Sequence, residues 1–213
     1  MDATPDSPRI SPLPPHDWPV EMRGAMAALR PEHPRHPFPP RDPSRPKGQN
    51  ALGMLARHPV LAEAYHHFAG HVLFSTTLSV RQRELVVLRV AAVRQSDYEW
   101  RQHAILAGDA GITEDEVARV SEGPEAPGWS PFERGLLSAV DELVADADIS
   151  ETTWQAIAAE LDEQQRMDLV FTVGAYDVLA MAFRTFRVAV DDDLRSCTDL
   201  TGGTESDAAL HQA

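Results

Sequence analysis

The sequence predicts an all-α fold, a compact helical bundle preceded by a proline-rich arm. From Gln49 to about residue 190 the apolar positions recur with the 3.6-residue period of helices. No stretch shows the sustained alternation of apolar and polar residues that half-buried strands require. Helix-start signals also recur, because Ser, Thr or Asp is followed three residues later by Glu or Gln at several points. We therefore predict that residues 49–190 form one all-helical domain.

Residues 1–48 differ in composition from the rest of the chain and are predicted to form an arm. Thirteen of the 17 prolines fall within the first 50 residues, and proline favours extended or irregular chain. One short helix is expected from Asp17 to Leu29, with Asp17 as its N-cap. Two alternatives stay open for the arm: a disordered leader, or a segment packed on the body or on a neighbouring subunit. The apolar residues that would anchor a packed arm are Trp18, Met22, Met26 and Phe38.

The predicted helices of the body follow one another with recognisable boundaries. The dipeptide His58-Pro59 separates two helices, over residues 50–57 and 59–75. The predicted helix starts are Ser79 with Gln82, Ser96 or Asp97, Thr113 with Glu116, Ser130 with Glu133, Ser150, and Asp162 with Gln165. The last of these opens a long helix over about residues 163–187. Residues 191–213 are acidic and rich in small side chains, so we predict a disordered tail.

Charge and cysteine content argue against several classes of protein. The chain has 19 basic and 33 acidic residues, a net charge of −14, which argues against binding nucleic acid or an anionic membrane surface. Cys197 is the single cysteine, so no intrachain disulfide or dithiol pair can form. No stretch reaches the ~18 apolar residues of a membrane span, and the N-terminus lacks a signal-peptide pattern. We therefore predict a cytoplasmic protein with no nucleic-acid or membrane partner.

Three residues in two consecutive helices are the candidates for chemistry. Glu84 opens a helix that is apolar on almost every side and should be buried. Glu99 and His103 are four residues apart on the next helix and share a face. A histidine near a carboxylate can move protons near neutral pH, and a second carboxylate in a dry site can be held neutral. The alternatives are an exposed Glu84, or one paired with Arg81 or Arg83, and a solvated pair of Glu99 with His103.

Other chemistries have less support in the sequence. A metal could bind Glu84, Glu99 and His103, but di-iron bundles repeat Glu with His three residues later, whereas here the spacing is four and occurs once. The G-x-S-x-G motif of serine hydrolases and glycine-rich nucleotide loops are both absent. Lys47, the single lysine, is poorly placed for a Schiff base. We predict neither a metal nor a cofactor.

The segment RQRELVVLRVAAVRQSDYEWRQHAILAGDAGITEDEV, residues 81–117, resembles the carboxymuconolactone decarboxylase family. That family belongs to the wider superfamily of alkyl hydroperoxidase D-like proteins. The resemblance covers roughly residues 50–190 and includes the blocks NALGMLARHPVLAEAY and VGAYDVLAMAFRTFRVAVDDDL. It implies an all-helical fold of the alkyl hydroperoxidase D-like type, assembled into trimers or hexamers, with an active site near a subunit interface.

The resemblance also implies which residues stand at functional positions. The redox branch of the superfamily has a Glu, then a C-x-x-C pair, then a His four residues after the second Cys. Glu84 and His103 match the Glu and the His, while Ser96 and Glu99 stand where the cysteines would be. A dithiol peroxidase needs both sulfurs. The resemblance is therefore to the decarboxylase-like side of the family, and peroxide reduction by a dithiol is excluded.

Decarboxylation in this family uses no cofactor and requires a proton to be delivered to carbon. On the resemblance, His103 is the acid/base, Glu84 orients it or shares its proton, and Glu99 is a second acid/base. The residues expected to line the pocket are Tyr98, Trp100 and Tyr176, with Arg184 as a clamp for a substrate carboxylate.

We therefore predict a cofactor-independent enzyme, lyase- or isomerase-like, that uses general acid/base chemistry on a small organic acid, lactone or polyketide-like molecule. The main alternative is a non-catalytic oligomeric binding protein of the same fold, and a metal-dependent or residual redox enzyme is a further one. Convergence of Glu84, Glu99 and His103 on a closed pocket would favour the enzyme. Side chains splayed into solvent, or locked in ion pairs with arginine, would favour the binding protein.

Overall fold

A computed structural model describes residues 7–39 and 45–194. Within these residues the regular secondary structure is helical, with no strand. The α-helices are α1 (Met22–Ala28), α2 (Gln49–Leu55), α3 (Pro59–Gly70), α4 (Val80–Val93), α5 (Asp97–Asp109), α6 (Glu114–Glu122), α7 (Pro131–Asp146), α8 (Glu151–Ala158) and α9 (Glu163–Phe186). Short 3₁₀ turns lie at Pro15–Asp17 and Asp192–Leu194, and a π-helical turn at His71–Ser75 follows α3. The all-α fold predicted from sequence is confirmed. The predicted disordered tail is wrong for residues 191–194, which contain a 3₁₀ turn and the buried Leu194, and from position 195 onward it lies outside the described residues.

The chain divides into two compact units, each with its own set of contacts. The first unit is Met1–Ser75 together with Met181–Ala213, and the second unit is Thr76–Ala180. The second unit contains α4 to α8 and most of α9, and therefore all three residues predicted for acid/base chemistry. The predicted boundaries of the arm, domain and tail, after residues 48 and 190, stay predictions.

In the first unit, the helix within the proline-rich segment packs against the body of that unit. Met22 and Ala25 of α1 are buried in one cluster with Ala56 and Ala62. Gly70 ends α3 against α1: a Cβ built there would lie 2.9 Å from the carbonyl oxygen of Leu29. Only a residue without a side chain permits so close an approach of the two helices.

Helix α1 begins later than the sequence suggested. It starts at Met22 rather than at Asp17, because Pro15–Asp17 form a separate 3₁₀ turn and Trp18 has extended backbone angles. The indole N–H of Trp18 donates a hydrogen bond of 2.8 Å to the Leu13 carbonyl. Trp18 also precedes Pro19, and the residue before a proline is disfavoured in helical conformation.

In the second unit, three helices open with the reciprocal capping boxes predicted from sequence. These boxes are Ser79 with Gln82 at α4, Thr113 with Glu116 at α6, and Ser130 with Glu133 at α7. In each box the hydroxyl accepts a bond from the backbone of the third residue, while that residue's side chain accepts one from the cap. Two otherwise unpaired N–H groups are thereby satisfied at each helix start, which fixes where the helices begin.

Arg81, in the first turn of α4, links two of these capping boxes. Its Nη2 donates to Glu116 Oε1 at 2.6 Å and to Glu133 Oε1 at 2.8 Å, and its Nη1 donates to the Gly111 carbonyl at 3.2 Å. The hydrogen bond from Arg81 is the largest cause that lowers the pKa of Glu116, to about 2. The starts of α4, α6 and α7 are therefore joined through one guanidinium group.

Helix α9 is long and apolar enough, by length and composition alone, to cross a membrane, which the sequence analysis did not anticipate. Within the second unit it nevertheless behaves as a core helix. Asp168 is buried and accepts bonds of 2.6 Å from both the backbone N–H and the hydroxyl of Thr77. Leu169, Val173 and Tyr176 are buried on the packed side of the same helix. A packed face with a satisfied buried carboxylate is typical of a helix in a folded bundle.

Candidate active site

Glu84 and His103 meet in the interior of the second unit. Glu84 lies in the first turns of α4 and is 1% exposed, while His103 lies in the middle of α5 and is 7% exposed. The Nδ1 atom of His103 is 2.7 Å from Glu84 Oε2. Because the two residues come from neighbouring helices that pack together, the pair is made by tertiary structure and not by local sequence.

Arg83 binds the second oxygen of the same carboxylate. Its Nε and Nη2 atoms donate to Glu84 Oε1 at 3.1 and 2.9 Å. Burial by itself would raise the pKa of Glu84, but the charges and hydrogen bonds of His103 and Arg83 together outweigh it and lower the pKa. Glu84 is therefore an ionised, acceptor-only group that holds a histidine on one side and an arginine on the other.

This arrangement fixes the tautomer of His103. Because ionised Glu84 can only accept, Nδ1 of His103 must donate, and the lone pair of the neutral ring is left on Nε2. Nε2 forms no hydrogen bond to a described residue, and the side chain keeps 9% of its surface exposed. Nε2 is therefore the atom of this pair that can take a proton from a bound molecule.

Glu99 is the second buried carboxylate, and its environment is the opposite of that of Glu84. It is 3% exposed, and within the described part of the chain neither of its oxygens has a hydrogen-bond partner. Burial raises the pKa of Glu99 to about 8, the charge of Asp177 adds to the rise, and the nearby Ser96 hydroxyl opposes it. The Ser96 hydroxyl lies near the Glu99 carboxyl group, but the two groups are not placed to form a hydrogen bond. Ser96 Oγ therefore also has no hydrogen-bond partner among the described residues. Glu99 is thus a neutral carboxylic acid at pH 7.

The two buried carboxylates are therefore set for different roles. Glu84 is ionised and orients the histidine, whereas Glu99 carries a proton and can donate a hydrogen bond. Glu99 forms no hydrogen bond with His103 or Glu84, although it lies one turn before His103 on the same helix face. The structure thus joins two of the three predicted acid/base residues directly and leaves the third unpaired.

A second ion pair, which no sequence pattern predicted, influences the site. Arg94, which ends α4, donates through Nε and Nη2 to the two oxygens of Asp177 on α9, and the Nη2 bond is 3.0 Å. The same Nη2 also reaches the Val144 carbonyl at 3.3 Å. Asp177 then contributes to the raised pKa of Glu99. No sequence signal marks this pair, because its residues are 83 positions apart.

The aromatic residues predicted to line the pocket are all buried, but they occupy different sides. The ring of Tyr176 meets the ring of His103 edge to face, with centroids 5.0 Å apart and planes at 87°. Tyr98 and Trp100 flank Glu99 in the chain, and successive helix positions differ by about 100°, so these two point roughly 160° apart. Trp100 lies nearer the His103 side of α5, and Tyr98 points away from it. A pocket-lining role for Tyr98 and Trp100 stays a prediction.

Two further features bear on the predicted pocket: the position of Arg184 and a groove in the second unit. Arg184 is exposed in the last turn of α9, in the first unit, so its role as a carboxylate clamp stays a prediction. A groove of about 410 Å³ lies in the second unit, and none of the residues predicted for the site lines it. The groove is lined by Leu143, Ala147, Asp148, Ile149, Glu151, Trp154 and Val170. Across residues 7–39 and 45–194, no three His, Cys, Asp or Glu side chains are grouped as metal ligands.

Comparison with known proteins agrees with this fold. The model of the carboxymuconolactone decarboxylase family matches residues 59–142. A protein of unknown function from Agrobacterium tumefaciens, described as a putative antioxidant defence protein, is 19% identical with a TM-score of 0.61, covering 64% of this chain and 94% of its own. An uncharacterised peroxidase-related protein from Ralstonia eutropha JMP134 is 16% identical with a TM-score of 0.62, covering 76% and 95%.

A third structure is a debrominase in complex with 2,3,4-tribromopyrrole. It is 13% identical with a TM-score of 0.66, covering 87% of this chain and 93% of its own. No curated protein matches the sequence. Identities this low show the shared fold alone, whereas the family model matches the segment that holds Glu84, Glu99 and His103. The segment 59–142 therefore matches the carboxymuconolactone decarboxylase family, in agreement with the resemblance, and this segment contains no cysteine.

Proposed function

We propose that this protein is a cofactor-independent enzyme that transfers protons to and from carbon in a small organic acid, lactone or polyketide-like molecule. The observation that carries the proposal is the buried chain from Arg83 through Glu84 to Nδ1 of His103, which leaves Nε2 free of hydrogen bonds to described residues. A carboxylate that orients a histidine in this way is a recurrent means of preparing a general base.

The three residues have distinct roles in the proposed reaction. His103 accepts the proton at Nε2, Glu84 stabilises the resulting imidazolium, and neutral Glu99 donates a hydrogen bond to the substrate. Lyase or isomerase activity fits these three residues, because reactions of both kinds begin when a proton, or an electron pair bonded to carbon, moves. The debrominase of similar fold, which was solved with a small pyrrole, supports a small organic ligand.

The second candidate function is a non-catalytic binding protein of the same fold. Two observations favour it: Glu84 is engaged by an arginine as well as by His103, and none of the predicted site residues lines the groove of the second unit. In a binding protein, the linked side chains of Arg83, Glu84 and His103 would only stabilise the fold.

Deuterium exchange at carbon separates these two functions. Ketones, unsaturated lactones and 1,3-dicarbonyl compounds are incubated with the protein in D₂O, and the loss of C–H signals is followed by proton NMR. We expect exchange with at least one compound, and we expect His103→Gln to slow that exchange by about 10²–10⁴-fold, because the base is removed. The control is His58→Gln, since His58 caps α3 in the first unit. Equal exchange with wild type and His103→Gln would reject the enzyme.

We further propose that the protein is a cytoplasmic homo-oligomer. The resemblance implies a trimer or hexamer, and the exposed face of α9 in the second unit offers a surface for it. Large apolar side chains that are 39–62% exposed lie along this face at helical spacing: Met167, Val170, Phe171 and Val178. Apolar side chains concentrated on one exposed face are typical of an interface between subunits.

Replacing Phe171 by Asp is expected to shift the protein towards monomers, because a charge would be buried in the interface between subunits. Size-exclusion chromatography with light scattering measures the mass. The matched control is Val20→Asp, because Val20 is also largely exposed, at 66%, but lies in the first unit. An unchanged mass for the Phe171 variant would reject this face as the interface.

A further inference from the structure

We propose that the substrate reacts as a neutral carbonyl compound, whose oxygen is held by the Glu99 carboxyl and the Ser96 hydroxyl at the start of α5, and not as a carboxylate held by an arginine. This inference rests on the proposed acid/base function and names the substrate class of the same site. It favours isomerisation or elimination over decarboxylation.

Unpartnered polar atoms are concentrated at the start of α5. In the described residues, the buried side-chain oxygens without a hydrogen bond include Ser96 Oγ and both oxygens of Glu99. Ser96 is 1% exposed and Glu99 is 3% exposed. A buried oxygen left without a hydrogen-bond partner destabilises the fold, so a cluster of such oxygens indicates a place where another molecule supplies the missing contacts.

The start of this helix also favours developing negative charge. Helix α5 has 13 residues, and its N-cap, Ser96, forms no side-chain hydrogen bond to the first turn. Side chains on a helix lean towards its N-terminus, so the Glu99 carboxyl leans towards this uncapped end. The positive end of the helix dipole and two hydroxyl donors then act on the same oxygen, which is how oxyanions are stabilised in enzymes.

The arginines of the second unit are already engaged, which argues against a substrate carboxylate. Six of its eight arginines bond to carboxylates of this chain, and the other two stack on tryptophan rings. Around the site, Arg83 bonds to Glu84, Arg94 to Asp177, and Arg101 to Asp97. A substrate carboxylate that bound one of these three arginines would compete with a carboxylate of the protein. A neutral carbonyl oxygen needs only the donors of Glu99 and Ser96.

The resulting reaction balances without any co-reactant. Nε2 of His103 removes a proton from the carbon next to the carbonyl, the C–H electron pair forms a C=C bond, and the C=O electron pair moves to oxygen. Glu99 keeps its proton and hydrogen-bonds to the enolate oxygen. In an isomerisation the enolate is conjugated to a further C=C bond, and the imidazolium returns its proton to the far carbon of that system. In an elimination the enolate electron pair expels a leaving group from the β carbon, and the imidazolium gives its proton to that group.

Two ligands of the same shape test the substrate class: 4-nitrophenol, whose ionised oxygen resembles an enolate, and 4-nitrobenzoate, a carboxylate. We expect wild-type protein to bind 4-nitrophenol with the absorption band of the phenolate, at a pH where the free phenol is neutral. We expect 4-nitrobenzoate to bind at least tenfold more weakly. Glu99→Met, which removes the donor at a similar side-chain volume, should weaken 4-nitrophenol about tenfold or more, since a hydrogen bond to a charged oxygen is worth about 1.5–3 kcal/mol, and the exposed Glu122→Met should not.

Tighter binding of 4-nitrobenzoate, binding of 4-nitrophenol in its neutral form, or no binding of either would overturn the proposal. The comparison of the two ligands uses unaltered protein, so it holds even if Glu99→Met folds poorly. His103→Gln should still bind 4-nitrophenol, because the oxygen site does not need the base. A failed ligand test with retained, His103-dependent deuterium exchange would therefore overturn the substrate class and leave the proposed function standing.

Discussion

Replacing Glu84 by Gln should lower the free energy of unfolding by about 3 kcal/mol, because breaking a buried ion pair leaves the partner charge uncompensated. The Glu84 carboxylate is 1% exposed and is shared between Arg83 and His103. A neutral amide can still accept a hydrogen bond from Nδ1, but it no longer balances the guanidinium. Urea unfolding followed by circular dichroism at pH 7 measures the loss.

A double-mutant cycle assigns this loss to the ion pair. Arg83→Met combined with Glu84→Gln should cost less than the two single changes added together, since the double variant contains no unbalanced charge. The control is Glu163→Gln in the exposed first turn of α9. A loss below about 1 kcal/mol for Glu84→Gln would mean that the carboxylate is not ionised in the folded protein.

Replacing Glu99 by Gln should remove a large pH dependence of stability. Burial raises the pKa of Glu99 from 4.5 to about 8, so the folded protein binds this proton more tightly than the unfolded chain does. Stability from this group is fully present below pH 4.5 and is lost as pH rises through about 8. At about 1.4 kcal/mol per pKa unit, the loss approaches roughly 5 kcal/mol.

The Glu99→Gln variant stays neutral throughout, so it should gain stability relative to the wild type as pH rises between 4.5 and 8. Unfolding in urea at both ends of that range gives the two differences, and Glu122→Gln on the exposed side of α6 is the matched control. Parallel stability curves for wild type and Glu99→Gln would show that Glu99 is ionised in the fold or reaches solvent. The same titration predicts that activity falls as pH rises through about 8, because ionised Glu99 can no longer donate.

The fold could be predicted from sequence because the signals for it are local. Capping boxes such as Ser79 with Gln82, and a helical period from Gln49 onward, depend on residues three or four apart. Several prolines precede Met22, and there the same local signals placed the start of the helix five residues too early, at Asp17.

The site could be predicted only in part. Spacing placed Glu99 and His103 on one face, and the resemblance paired His103 with Glu84, as the 2.7 Å contact shows. The sequence allowed one carboxylate to be held neutral but could not establish that this carboxylate is Glu99, since the outcome depends on burial and on partners from distant segments. Asp177 approaches Glu99 from α9, and Arg94 holds Asp177 from α4, through contacts that no local pattern records.

The guanidinium of Arg81 makes the starts of three helices energetically interdependent. Because it bonds to Glu116, Glu133 and Gly111 at once, the first turn of α6 or α7 cannot fray without releasing bonds that hold the others. Helix ends usually open separately and at low cost. Here the backbone amide hydrogens in the first turns of α4, α6 and α7 should exchange with solvent in a single cooperative opening. These helix starts should therefore open as slowly as the interior of the second unit.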